Sequence, residues 1–254
     1  MNLSQTAFPC PKNGGFSTAS NFSLRWFSPK VEVVLCGHGT MGTAHVLFEE
    51  MGNSNEAIHF ETLSGALTCR RGKNGGVEMD FPQYEVVPLN LGRWKQTEFN
   101  KELFKEFQGP TPEFMERLVQ AVSCGRSVAA VAYAPQAKVP IVVLDPMSEE
   151  EFTALKPSAA ELLKVHPEAD FILGLVLTMK ASEGGGCDFV SRYFAPWIGV
   201  VEDPACGSAH CVSARQCFPG RGAELKLRLD NDAGRITLIG AAATVVSGTL
   251  LANG

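Results

Sequence analysis

The spacing of apolar residues divides this chain into short strands and a few helices. Phe22, Leu24 and Trp26 alternate with less buried positions, the period of two that is typical of a strand with one face in a core. The apolar run 31–35 follows, and the apolar residues of 38–50 then recur at helical spacing. The pattern predicts a strand, a second apolar stretch and a helix that begins directly after it.

The rest of the chain repeats short strands separated by turn residues. Asn74-Gly75-Gly76 is a strong hairpin signal, whereas Pro9 and Pro11 interrupt the opening segment, for which no element is predicted. Helices are predicted at 149–155 and 158–165. Strands are predicted at 58–62, 67–69, 77–81, 128–133, 140–144, 171–178, 188–194, 224–229, 235–239 and 242–251.

The alternation of elements indicates two lobes with a boundary near Pro88. The N-terminal lobe is predicted to span 1–88, joined by a last strand at 246–254, and the C-terminal lobe to span 89–245. Each half then consists of strands around one helix that begins at a Cys-Gly pair. The expected fold class is α+β.

Composition excludes several classes of function. The chain has 254 residues, 45% of them hydrophobic, and a formal net charge of -5, so the clustered positive charge that nucleic-acid binding needs is missing. No apolar run reaches the ~18 residues that span a bilayer, and the polar start lacks a signal-peptide pattern. We therefore expect a cytoplasmic protein with neither nucleic acid nor membrane as partner.

Eight cysteines are scattered along the chain without the regular spacing of a disulfide framework. A chain of this length can bury a sizeable core and does not depend on covalent cross-links for stability. Reduced thiols are therefore expected.

Two short stretches echo each other and carry the candidate chemistry. Leu35-Cys36-Gly37-His38-Gly39 and Ala205-Cys206-Gly207-Ser208 each place a Cys-Gly pair after a strand and before a helix. The free backbone N–H groups at a helix N-terminus can hold an anion. One such loop in each half predicts a single shared cleft.

Each candidate residue also has a purely structural interpretation. A free cysteine often packs as a small hydrophobe, Asp203 could satisfy the N–H groups of a turn, and Ser208 could only cap a helix. Zinc is a further alternative for the donors Cys36, His38, Cys206, His210 and Cys211. Their spacing does not match structural zinc sites, so no metal is expected.

Six stretches of the sequence resemble the phenazine biosynthesis-like (PhzF) isomerase family, in order and over nearly the whole chain. They are Asn2–Phe8, Leu24–Pro29, Cys36–Thr40, Met79–Pro82, Arg192–Trp197 and Glu202–His210. The resemblance implies a diaminopimelate epimerase-like fold of two similar lobes, each an antiparallel sheet curled around a central helix. It also implies a substrate cleft between the lobes. The family's opening strand and helix have no counterpart before Met1, so we expect an unpaired sheet edge.

The resemblance also implies roles for particular residues. Family members carry a Glu general acid/base where this chain has Gln5, and the other matching site positions are His38, Asp203 and Ser208. An amide cannot take up a proton at a useful pH, so Gln5 is expected to supply a hydrogen bond only.

Two thiols offer a replacement for the missing carboxylate. Cys36 and Cys206 fall where related two-base racemases and epimerases keep catalytic cysteines, which allows proton exchange between opposite faces of one carbon. Their place at helix N-termini predicts thiol pKa values lowered below about 8.5.

The sequence thus predicts a cofactor-independent isomerase that moves a proton on a small carboxylate-bearing metabolite. The carboxylate would be bound by Gly37, His38 and Gly39 of one loop and by Gly207 and Ser208 of the other. A homodimer is compatible with this prediction. The rival hypothesis, which Gln5 favours, is a catalytically impaired pseudoenzyme whose cleft binds a ligand or partner.

Overall fold

The computed structural model describes residues 4–89, 114–168, 170–184, 186–204, 206, 214–216 and 223–248. Its strands are β1 (Thr6–Pro11), β2 (Asn21–Phe27), β3 (Glu32–Val33), β4 (Ala57–Thr62), β5 (Gly65–Arg71), β6 (Val77–Pro82), β7 (Val87–Pro88), β8 (Val128–Ala134), β9 (Val139–Leu144), β10 (Leu175–Lys180), β11 (Phe189–Ala195), β12 (Val200–Asp203), β13 (Ala214–Gln216), β14 (Ala223–Asp230) and β15 (Arg235–Gly240). Its α-helices are α1 (Gly37–His45), α2 (Phe114–Ser123), α3 (Glu149–Ala154) and α4 (Ala159–Val165).

The described strands form one continuous mixed sheet that serves both halves of the chain. Its order is β1-β2-β4-β5-β6-β15-β14-β13-β11-β10-β9-β8-β7, with β3 beside β2 and β12 beside β11. Most neighbours are antiparallel, and the pairs β2–β4, β9–β10 and β11–β13 are parallel. The architecture is α+β, as the sequence predicts.

Two separate hydrophobic cores lie along this sheet. The first contains Phe22, Leu24 and Trp26 of β2 together with Met41 and Ala44 of α1. The second packs the apolar face of α2 and the helices α3 and α4 against strands β8 to β11. The sheet of the first half therefore buries one face against α1. This packing holds the N-terminus of α1 at the end of the first core.

The three helices predicted from the sequence are confirmed. Helix α1 begins one residue after Cys36 and continues through a π-helical turn at Val46–Glu50, so the helical segment ends where the apolar spacing ends. Ser148 and Ser158 cap α3 and α4 by accepting hydrogen bonds from Glu151 N and Glu161 N.

Three elements differ from the sequence-based expectation. Strand β1 forms despite Pro9 and Pro11, because it lies at the edge of the sheet, where a missing N–H is tolerated. Helix α2 was not predicted, although its buried residues follow helical spacing. The strand predicted at 242–251 is wrong over 242–248, which have no regular secondary structure, and 249–251 lie outside the described residues.

The hairpin β14–β15 packs with the first core rather than the second. Strand β15 pairs with β6, and Ile236 and Leu238 belong to the same cluster as Phe22 and α1. Strand β14 also pairs with β13, so this hairpin connects the two halves of the sheet. The lobe boundary near Pro88 stays a prediction. The range 223–240, which the prediction assigns to the C-terminal lobe, packs with the first half of the chain. In the described part of the chain, no helix has the length and apolarity to cross a bilayer.

Candidate active site

Cys36 occupies the N-cap position of α1, and its backbone is extended at φ -142 and ψ 107. The backbone N–H of Gly39 donates a hydrogen bond to Sγ of Cys36 at 3.3 Å, and Thr40 N–H donates to the Cys36 carbonyl at 3.0 Å. A side chain that accepts from the third residue of a helix is the usual N-cap arrangement. The first Cys-Gly stretch therefore starts its helix with a sulfur atom in place of the common oxygen.

The Cys36 thiol also faces two polar side chains. Its S–H donates to Oε1 of Gln5 at 3.7 Å. Its sulfur lies 3.9 Å from Nδ1 and 3.8 Å from Nε2 of His38. Equal separation from both ring nitrogens places the sulfur off the in-plane direction in which either nitrogen bonds best. The His38 ring is thus in contact with the thiol without a well-directed hydrogen bond to it.

His38 connects the α1 side of the site to the other half of the chain. Ser4 Oγ lies 3.2 Å from Nε2 of His38, and Oδ2 of Asp203 lies 3.8 Å from Nδ1. The His38 side chain is 29% exposed, whereas that of Asp203 is 4% exposed. The imidazole on the α1 side of the site therefore lies against a buried carboxylate from the other half of the chain.

Asp203 is positioned by strand pairing and by a buried ion pair beside it. It ends β12 and lies opposite Tyr193 of β11. The preceding Glu202 receives two hydrogen bonds from Arg192, from Nε at 2.6 Å and from Nη2 at 2.8 Å. Arg192 Nη1 also donates to the carbonyl of Leu155 at 2.7 Å, and it approaches the carbonyls of Phe152 and Thr153 at the end of α3.

Tyr193 is a partly buried residue that lines the cavity together with Cys36 and Cys206. A Cβ at Gly174 would lie 2.0 Å from Oη of Tyr193, so only glycine leaves room for this phenol. Burial raises the pKa of Tyr193 well above its ordinary value, and negative charge on Cys206, Asp203 or Cys36 would raise it further. The phenol is therefore neutral and available as a hydrogen-bond donor.

These groups line one cavity of about 130 Å³. Its polar lining residues are Gln5, Glu32, Cys36, His38, Tyr84, Tyr193, Asp203 and Cys206. Gly37 lines it as well, and the remaining lining side chains are apolar. The two cysteine stretches, 170 positions apart in sequence, therefore meet at a single small cavity.

Burial decides the ionisation of the Cys36 thiol. Loss of solvent raises its pKa above the ordinary value, the Gly39 N–H opposes this rise, and negative charge on Asp203 and Cys206 adds to it. The expectation of a lowered pKa is wrong for Cys36, because desolvation outweighs the helix N-terminus. The resting thiol is neutral.

Glu32 is the other carboxylate of the cavity lining, and it is a poor base. Arg25 Nε and Nη2 bind its two oxygens at 2.7 and 2.6 Å. This hydrogen bonding lowers the pKa of Glu32 against a smaller opposing effect of desolvation. A carboxylate with a lowered pKa accepts a proton weakly, so Glu32 does not replace the Glu expected at position 5.

The structure brings together Gln5, Cys36, Gly37, His38, Asp203 and Cys206, while Gly39 lies behind Cys36 rather than at the cavity surface. Gly207, Ser208, His210 and Cys211 lie outside the described residues. Sequence reasoning missed Ser4, Tyr84 and Tyr193. Tyr193 and Ser4 stand in stretches that resemble the family, so that signal was available for both, whereas no motif marks Tyr84.

Two further features concern the cysteines and possible metal ligands. The six described cysteines are all free thiols. Among the described residues, no three His, Cys, Asp or Glu side chains converge as a metal site would require.

The sequence is similar to proteins of one family. The family model described as phenazine biosynthesis-like protein matches residues 1–217. A human phenazine biosynthesis-like domain-containing protein is 37% identical over 272 residues, covering 99% of this chain and 86% of that protein. A Pseudomonas aeruginosa protein named as an uncharacterized isomerase is 32% identical over 263 residues, covering 98% of this chain and 83% of that protein.

Solved structures give the same result for the fold. A PhzF-family protein from Enterococcus faecalis superposes with a TM-score of 0.68 at 28% identity, over 96% of this chain and 82% of that one. A PhzC/PhzF protein from Clostridium difficile gives 0.69 at 28% identity, over 99% and 84%. A hydroxyproline epimerase from Agrobacterium vitis shares the fold alone, with a TM-score of 0.51 at 12% identity. The chain belongs to the phenazine biosynthesis-like protein family.

Proposed function

We propose that this protein is a cofactor-independent isomerase that moves a proton on a small carboxylate-bearing metabolite. The observation that carries the proposal is the single cavity that joins Cys36 and His38 of one half to Asp203 and Cys206 of the other. Relatives of this chain that are named isomerases support the reaction class. The substrate, the roles of these residues and the independence from a cofactor are parts of the proposal.

The size of the cavity limits the reacting part of the substrate. Its volume of about 130 Å³ is close to that of cavities that hold a benzene molecule, so it accommodates roughly six non-hydrogen atoms. A carboxylate with its neighbouring carbon and one substituent fits this limit. The N–H groups of Gly37 and His38 at the start of α1, which lack intrahelical partners, would receive the carboxylate.

The proposed chemistry uses the groups that can change their charge. A base removes the proton from the carbon next to the carboxylate, the electron pair of the C–H bond moves onto the carboxylate oxygens, and a proton returns to another face or another carbon. On the α1 side, Cys36 is the base: its thiol gives a proton to His38, whose ring it contacts and which Asp203 supports, and the thiolate then removes the proton from the substrate. Cys206 and Asp203 serve the opposite side.

Gln5 has a supporting role in this scheme. Its Oε1 accepts the hydrogen bond of the neutral Cys36 thiol at 3.7 Å, which fixes the direction of the S–H bond. Because an amide does not take up a proton, the reaction proceeds without the carboxylate that the family carries at this position. The protein should therefore be active, with a rate limited by the weaker base.

The test is proton NMR of a panel of small carboxylates and amino acids in deuterium oxide. The proposal expects the C–H signal next to the carboxylate of one compound to disappear with time, without any added cofactor. The matched control is the same panel with the double variant His38→Gln, Asp203→Asn, which should leave every signal intact. A folded protein that binds a carboxylate from the panel without any exchange would favour the pseudoenzyme hypothesis instead.

A further inference from the structure

The indole N–H of Trp26 is a buried donor without an acceptor. Trp26 lies near the C-terminal end of β2 and is 1% exposed, and its Nε1 has no hydrogen-bond partner within the described part of the chain. Buried tryptophans usually place this N–H against an acceptor, because an unsatisfied donor costs free energy. Among the described residues, the Trp26 N–H therefore has no acceptor in the resting protein and is available to one that forms during the reaction.

The N–H edge of this indole and the Cys36 sulfur both lie close to Gly39. The position that a Cβ on Gly39 would occupy lies 2.9 Å from Cδ1 and 3.3 Å from Nε1 of Trp26. The same position lies 2.9 Å from Sγ of Cys36. Because glycine has no side chain, the space between the indole edge and the sulfur stays open. Any other residue at position 39 would separate them.

The thiol needs different partners before and after it loses its proton. The neutral thiol donates to Gln5 and accepts one hydrogen bond, from Gly39 N–H. A thiolate donates nothing and requires additional N–H groups, especially where burial disfavours the charged form. Oε1 of Gln5 offers only lone pairs to it. Among the described residues, the Trp26 N–H is a donor close to this sulfur that has no hydrogen-bond partner.

We propose that Trp26 is a positioning residue whose indole N–H stabilises the Cys36 thiolate, acting with the Gly39 N–H as a pair of donors behind the sulfur. The donor pair lies on the core side of Cys36, and the cavity lies on the other side. The two N–H groups would therefore stabilise the negative charge of a thiolate formed there, and its remaining lone pairs would point at the substrate. This inference deepens the proposed function and names a further residue of the same site.

The experiment measures the pH dependence of Cys36 alkylation by iodoacetamide, quantified by mass spectrometry, in Trp26→Phe. The proposal predicts a profile displaced to higher pH by about one unit, so that alkylation of Cys36 at pH 9 is roughly tenfold slower. The matched control is Trp197→Phe, whose Nε1 donates to the His166 carbonyl at 2.7 Å. It removes the same volume and should leave the alkylation of Cys36 unchanged.

The sign of the change separates this role from simple packing. A smaller ring beside the sulfur opens space, so a residue that only fills the core predicts equal or faster alkylation of Cys36 in Trp26→Phe. Equal or faster alkylation would overturn the proposal. If Trp26→Phe does not fold, 3-benzothienylalanine at position 26 keeps the shape and replaces the N–H by sulfur, and the same slower alkylation is required of it.

The alkylation readout does not depend on isomerase activity. Slower alkylation of Cys36 in Trp26→Phe supports the donor pair even if the deuterium-exchange panel finds no substrate. Unchanged alkylation together with a positive panel rejects the donor pair and leaves the proposed function intact.

Discussion

The two walls of the cavity are built in different ways. On the α1 wall, Cys36 and His38 are held by a helix N-cap and by single hydrogen bonds from Gly39 and Ser4. On the β12 wall, Asp203 sits beside a buried, doubly bonded ion pair that is anchored to the end of α3. The α1 wall therefore holds its reactive groups by single hydrogen bonds, whereas the β12 wall has a buried ion pair next to Asp203.

This difference predicts that changes in the two walls affect different properties. Removing a group from the α1 wall should impair proton transfer and leave the fold nearly intact. Removing the Arg192–Glu202 ion pair of the β12 wall should lower the free energy of unfolding, whatever its effect on proton transfer. Substitutions on each side, with a matched control elsewhere in the chain, test this separation.

The largest effect is expected for Cys36→Ser. A hydroxyl keeps the N-cap hydrogen bond but ionises far less readily, so deuterium exchange into the substrate should fall by about 10²- to 10⁴-fold. Cys69→Ser is the control, because Cys69 is buried in the first core and does not line the cavity. Exchange at the normal rate in Cys36→Ser would reduce this thiol to a packing residue.

The next effect concerns the β12 wall. Arg192→Met leaves Glu202 buried without its partner, so the free energy of unfolding should fall by about 3–5 kcal/mol, measured by denaturant unfolding. The control is Arg25→Met, which breaks the bidentate pair with Glu32 at a 59% exposed side chain and should lower the free energy of unfolding far less, because solvent screens exposed ion pairs. Similar losses in both variants would contradict the contrast between the walls.

A smaller gain is expected for Gln5→Glu. A carboxylate near Cys36 supplies a titratable base where the amide only accepts a hydrogen bond, so exchange should rise by about tenfold. Gln120→Glu on the exposed face of α2 controls for the added charge. Equal rates for Gln5→Glu and the natural protein would mean that position 5 does not limit the chemistry.

The smallest effect is the pH dependence of stability. Burial raises the pKa of both Cys36 and Cys69 above that of a thiol in the unfolded chain. The folded state therefore binds these protons more tightly, and the stabilisation present below about pH 8.5 is lost as the pH rises, by up to about 1.4 kcal/mol per pH unit for each thiol. Denaturant unfolding at pH 7.5 and 9.5 should show this loss, and Cys69→Ala should lessen it. Stability that is flat or rising over this interval would be inconsistent with buried neutral thiols.

Much of the first half could be predicted from local patterns. The alternation in β2 and the helical spacing of α1 report burial on one face, which is a local property of each element. Strand β1 escaped prediction because its prolines are compatible with a strand only at a sheet edge, and edge position is a property of the whole sheet. Helix α2 carried the pattern of Met115, Leu118, Val119 and Val122, which the neighbouring prolines obscured.

The site was predictable at the level of motifs but not of energetics. The paired Cys-Gly stretches were enough to expect one shared cleft. The neighbourhood of Tyr193 depends on the register of β11 with β12 and on the space left at Gly174. The ionisation of Cys36 depends on burial, which a helix N-terminus read from sequence does not report. Tertiary packing therefore decided both points.

The most direct test of the central claim compares iodoacetate with iodoacetamide as alkylating agents. Iodoacetate is itself a small carboxylate, so a cavity that binds a carboxylate between the two cysteine stretches should favour it. The ratio of the two alkylation rates should be higher at Cys36 and Cys206 than at the exposed Cys10 and Cys124, and reaction at one cavity thiol should block the other. The same ratio at all four cysteines, or independent reaction of Cys36 and Cys206, would contradict a shared carboxylate site.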